Sequence, residues 1–76
     1  MKTELKVTDS KLNIELKTGD KILVIVDGKK KGYIFRELSP HKEYRIREAK
    51  TGMNIVVSIN WFVNNGKKSY LWEEEW

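Results

Sequence analysis

Seventy-six residues allow one small domain, since a second hydrophobic core needs more chain than this. With no cysteine, disulfide stapling, catalytic thiols and cysteine-held zinc or iron–sulfur centres are all excluded, and a reducing cytoplasm is the expected home. Fifteen basic and eleven acidic side chains leave a net charge of +4, a moderate excess far from that of a histone-like protein.

The N-terminal stretch Met1-Lys2-Thr3-Glu4-Leu5-Lys6 has no continuous apolar run, and the longest such run in the chain is Ile22 to Val26, so neither secretion nor a membrane span is expected. Apolar and polar residues alternate from Leu5 to Val7 and again at Leu12, Ile14 and Leu16. A period of two predicts half-buried strands there. After the punctuation Thr18-Gly19-Asp20, the β-branched run Ile22-Leu23-Val24-Ile25-Val26 is apolar at every position. It suits a central strand covered on both faces. Asp27-Gly28-Lys29-Lys30-Lys31-Gly32 reads as a basic, turn-rich loop, and Tyr33 to Leu38 as the returning strand.

Ser39-Pro40-His41-Lys42 breaks the pattern at the only proline. Glu43 to Ala49 alternates Tyr44 and Ile46 with Arg45 and Arg47. Lys50-Thr51-Gly52 is a hairpin signal, and Met53, Ile55, Val57 and Ile59 line one face of the strand that follows. Asn60 to Val63 fits a short helical turn or a strand end. Asn64 to Lys68 is a second loop, and Ser69 to Trp72 a last strand. No segment carries the spacing of an amphipathic helix. The prediction is an all-β domain over residues 1–76, a small SH3-like barrel of five to seven short antiparallel strands, with 73–76 as a fraying acidic tail.

The stretch from Gly19-Asp20 through Ile22–Val26 to the basic Lys29-Lys30-Lys31-Gly32 resembles the opening of SH3-like barrels, above all the KOW-type motif of ribosomal and transcription-elongation proteins. Tyr44 to Val63 is similar to the second half of such barrels. The likeness covers about half the chain and implies an RNA- or protein-contacting role for Lys29–Lys31.

The inventory of reactive groups is sparse. His41 is the only imidazole and sits beside Pro40, where it reads as a solvated turn residue; no metal site and no cofactor are expected. No nucleophile has a base and an orienting group, Glu73–Glu75 lie where burial cannot tune them, and the two-glycine lysine segment lacks a P-loop ending. The chain is not expected to be an enzyme.

Charge is unevenly placed along the chain. Residues 1–28 are neutral overall, residues 29–68 carry +7, and residues 69–76 carry −3. In the basic middle, Lys29, Lys30, Lys31, Arg36, Lys42, Arg45, Arg47, Lys67 and Lys68 are interleaved with Tyr33, Phe35, Tyr44, Trp61 and Phe62. Cations among aromatics are what single-strand binders use for backbone attraction and base stacking. The same aromatics also suit a core, and the same lysines a solvated turn.

The leading expectation is a non-enzymatic module that contacts RNA or single-stranded DNA through Lys29–Lys31 and the Arg45/Arg47 strand face, with Arg36, Lys67 and Lys68 adding to the field. The alternative is a protein-interaction adaptor or inhibitor, of the kind phages and mobile elements encode, that presents Trp61, Phe62, Trp72 or Trp76. A free edge strand would let such a domain be a homodimer as well as a monomer. The tail Tyr70 to Trp76 is expected to fold back at least through Trp72, its glutamates partly masking the cationic face.

Overall fold

The structure, a computed structural model, describes residues 2–63 and 68–73. Among these residues eight strands form in chain order: β1 (Lys2–Glu4), β2 (Val7–Thr8), β3 (Lys11–Leu12), β4 (Lys21–Val26), β5 (Lys29–Leu38), β6 (Tyr44–Glu48), β7 (Asn54–Val57) and β8 (Lys68–Glu73), with one 3-10 turn, Ile59–Phe62, before β8. Six of them make a wholly antiparallel sheet in the order β1-β8-β4-β5-β6-β7, and β2 and β3 form a separate two-residue ladder. The domain is all-β, as the alternation predicts.

Strand β4 is central, paired along its whole length with β5 on one side and β8 on the other. Residues directly opposite each other in antiparallel strands share a face. The register therefore places Ile22 beside Tyr33 and Trp72, Val24 beside Tyr70, and Phe35 beside Ile46 on one inner face. Leu5, Ile22, Val24, Tyr33, Phe35, Ile46 and Tyr70 bury there, and the 3-10 turn inserts Phe62, which is fully buried, among them. Each such side chain contributes roughly 1.5–3 kcal/mol of transfer free energy, which a domain this short cannot spare. On the outer face of β4, Leu23 is buried, flanked in register by Leu71 and Gly32.

Several expectations change. The alternation at Leu12, Ile14 and Leu16 is not a strand beyond Leu12; Asn13 takes over the backbone bonding, its amide oxygen accepting from the Lys6 N–H and its amide nitrogen donating to the Glu4 carbonyl, both at 2.9 Å. Ile14 and Leu16 still pack on the core from this extended loop. Met53 does not continue the buried face of β7 and is 60 % exposed. Glu73 does not fray, being the last residue of β8 and opposite Lys21. The loop at 64–67 and residues 74–76 lie outside the described residues.

The largest change concerns Lys29–Lys31, which form no loop. Asp27 and Gly28 have φ of 49° and 77°, the pair of positive values that a two-residue type I′ hairpin turn requires. Those two residues complete the reversal alone, so the lysines join the ladder: Lys29 pairs with Val26, Lys30 with Ile25 and Lys31 with Val24.

Candidate nucleic-acid interface

Once Lys29–Lys31 belong to a strand, alternation divides them. Lys29 and Lys31 project from the inner face and Lys30, opposite Ile25, from the outer one. On the other side of β4, Lys68 is in register with Val26 and Tyr70 with Val24. The result is a short grid. Lys29, Val26 and Lys68 form its outermost row; Lys31, Val24 and Tyr70 the next; Tyr33, Ile22 and Trp72 the third. Strand spacing sets the Lys29 and Lys68 backbones about 10 Å apart, and two residues along β5 set Lys29 and Lys31 about 7 Å apart.

The inner face is filled at its third row and open at its first. Between them lies a cleft of about 440 Å³ lined by the three lysines, Val24, Val26, Tyr33, Tyr70, Trp61 and Asp27. Trp61 reaches it from the 3-10 turn, its ring 5.3 Å from Tyr33 in an edge-on contact and 5.1 Å from Tyr70. It is anchored from behind by buried Phe62, whose ring is 4.9 Å away. A half-buried indole is thus held by three aromatic neighbours and leaves little side-chain freedom to lose on binding. Burial, and then the neighbouring Tyr33, raise the Tyr70 phenol above its usual 10.0, so this wall of the cleft is neutral at physiological pH. Among the described residues Asp27 is the only carboxylate against three ammonium groups in this lining, which makes it cationic.

The other expected site residues are elsewhere. Arg45 and Arg47 project from the outer face with Lys30, opposite to the cleft, so the lysines and the arginine strand do not make one surface. Arg45 donates to a Glu37 carboxylate oxygen at 2.8 Å, both side chains more than half exposed. The Arg47 guanidinium lies over Gly52, 3.2 Å from where a β-carbon would stand. Arg36 is exposed at the irregularity between Phe35 and Glu37. Lys67 and Trp76 lie outside the described residues. Trp72 is half-buried in β8, and Phe62 is core, not a presented aromatic. Glu73 sits at the end of β8 remote from Lys68, so this glutamate does not mask the cleft.

A larger hollow of about 780 Å³ lies on the other side of the core, between the loop carrying Ile14 and Leu16 and the Leu38–Tyr44 end of the sheet. Its charges balance, Asp9, Glu15 and Glu37 against Lys11, Lys17 and Lys42, so it offers an anion no field. His41 is exposed in a turn, and the described residues contain no group of three metal-ligating side chains. No described helix is long and apolar enough to cross a membrane.

Sequence reasoning marked Lys29, Lys31, Lys68 and Trp61 one by one but missed Tyr70 and Asp27 as cleft walls. The signal for Asp27 was the Asp-Gly pair itself, whose tight turn brings the carboxylate to the first row. Comparison with protein-family models, with curated proteins and with solved structures finds no match for this chain.

Proposed function

We propose that the chain is a non-enzymatic binding module that takes single-stranded nucleic acid, RNA or single-stranded DNA, into the cleft between β5, β8 and Trp61. The observation that carries the reading is the register: Lys29 and Lys31 from one strand and Lys68 from another converge on one face, beside an immobilised indole. Lysines contribute backbone attraction and Trp61 a surface for a base. A base reaches the indole only when unstacked and unpaired, which favours single strands over duplex. The element order, a four-stranded meander, one 3-10 turn and a last strand returning beside β4, is in keeping with the SH3-like resemblance and its RNA-contacting members.

The protein-interaction reading has less support. Of its four anchors Phe62 is buried, Trp72 is committed to a hydrogen bond within the domain, and Trp61 faces the cationic cleft. Titration of a fluorescent single-stranded oligonucleotide across a salt series tests the proposal. Three phosphates neutralised on a single strand give a slope of log K against log salt of about −2. Absence of saturable binding at low salt would remove it.

A further inference from the structure

The two edges of the six-stranded sheet are built differently. Strand β1 carries the exposed Glu4, a charge of the kind that discourages edge pairing. Strand β7 reads Asn-Ile-Val-Val, with no charge, no proline and no register break against β6, its one strand neighbour among the described residues. Val56 at its middle is 55 % exposed.

The direction of the β7 amides follows from the hydrogen bonds beside it. The Glu48 N–H donates to the Met53 carbonyl at 2.9 Å, which makes Glu48/Met53 a hydrogen-bonded position of the β6–β7 hairpin. Such positions recur every second residue, so Ile55 and Val57 also turn their backbone groups toward β6. The other side of β6 agrees: the Ala49 N–H donates to the Gly32 carbonyl, so the odd-numbered β6 positions serve β5 and the even-numbered ones serve β7. Asn54 and Val56 therefore direct N–H and C=O out of the sheet. So does the N–H of Ser58, whose backbone is still extended at φ −87° and ψ 172°. The Ser58 carbonyl is already taken by the Trp61 N–H at 3.0 Å.

We propose that β7 is a self-pairing edge, and that two copies of this chain join as an antiparallel dimer about a two-fold axis through Val56. This register is self-complementary. Val56 faces Val56 of the second copy and exchanges two backbone hydrogen bonds with it, and at each end a Ser58 N–H meets an Asn54 carbonyl. It also keeps inner face continuous with inner face, so the exposed Val56 side chains cover each other. A shift by one residue would instead join the inner face of one copy to the outer face of the other. The cleft lies across β5, β4 and β8 and stays open in both copies.

Sedimentation of the full chain over a concentration series tests this, together with Val56→Lys, which brings like charges face to face, and Val56→Cys in a chain that has no other cysteine. The expected result is a reversible monomer–dimer equilibrium whose dissociation constant rises at least about tenfold in Val56→Lys. In a hydrogen-bonded antiparallel pair the two Cα atoms stand about 5.5 Å apart, within disulfide range, so Val56→Cys forms a covalent dimer under oxidised glutathione faster than Lys50→Cys, at the hairpin tip, does. The cysteine pair decides the matter if the lysine variant fails to fold. A wild type that stays monomeric at millimolar concentration, a Val56→Lys dimer as tight as wild type, or equal cross-linking of the two cysteine variants would overturn the proposal.

Discussion

Trp72, near the end of β8, donates its indole N–H to Oδ2 of Asp20 at 3.1 Å, and the same oxygen accepts the Lys17 backbone N–H at 2.8 Å. Asp20 is buried, and its own backbone is used as well: its N–H donates to the Lys17 carbonyl and its carbonyl accepts the Phe35 N–H. One residue thus ties the turn before β4 to the strand that closes the sheet, joining positions 52 residues apart. A buried polar atom that loses one partner keeps its desolvation cost, so Trp72→Phe should lower the unfolding free energy by about 1–2 kcal/mol, and Asp20→Ala by about 2–3 kcal/mol. Urea denaturation measures both. In the double variant the losses should fall short of the sum, since each single change already breaks the shared bond; strictly additive losses would contradict the account.

Gly28 is where local conformation alone sets the cost of a side chain. A β-carbon there would meet nothing within 4 Å, but φ is +77°. Gly28→Ala should therefore destabilise by about 1 kcal/mol through backbone strain without any clash. A D-alanine introduced by semisynthesis at the same position suits that φ and should be neutral or stabilising. Equal thermal destabilisation by the two enantiomers would show that contact, not conformation, governs the turn.

Asp27 opposes the three lysines of the cleft. Asparagine tolerates the same left-handed backbone and favours the same turn, so Asp27→Asn should leave the melting temperature nearly unchanged. Removal of one opposing charge at the surface should tighten oligonucleotide binding about two- to fivefold at low salt, and less at high salt. Unchanged or weaker binding would place the anion elsewhere.

Burial raises the Tyr44 phenol above its usual 10.0, and burial followed by the neighbouring Tyr33 raises that of Tyr70. An acid whose folded pKa is raised holds its proton longer in the folded state than in the unfolded one, so the unfolded chain binds fewer protons above the ordinary value. Stability from these two groups is then fully present below about pH 10 and is lost as pH rises through the folded values. Thermal unfolding should show no slope from these tyrosines at neutral pH and a steep fall above pH 10, made shallower by Tyr70→Phe.

Much of this was legible in short-range pattern. Period-two alternation marked β6 and β7, an unbroken apolar run marked the central β4, and Lys50-Thr51-Gly52 marked the β6–β7 hairpin, because these signals act within a few residues. Lys29–Lys31 were misread because composition pointed to a loop while the Asp27-Gly28 turn needs only two residues; once the turn is that tight, the lysines become strand. Met53 followed the alternation yet precedes β7, and although its carbonyl still accepts the Glu48 N–H its side chain is left largely exposed. The cleft was not legible at all. It depends on Lys68 standing in register with Val26, a long-range alignment fixed by the pairing of β8 with β4 and not by any local feature of either segment. The same register sends Arg45 and Arg47, as basic as the lysines, to the opposite face.

That division gives the most direct measurement. Two triple variants change equal charge: Lys29→Gln/Lys31→Gln/Lys68→Gln on the cleft and Lys30→Gln/Arg45→Gln/Arg47→Gln on the outer face. Both are compared with wild type by titration of a fluorescent single-stranded oligonucleotide over a salt series, with folding checked by thermal melts. The cleft variant should lose at least about tenfold in affinity at low salt, with a salt slope near zero in place of about −2, while the outer-face variant stays within about threefold of wild type with the slope retained. Equal losses from both faces would reduce the binding to net charge, and full affinity in the cleft variant would contradict the proposed site.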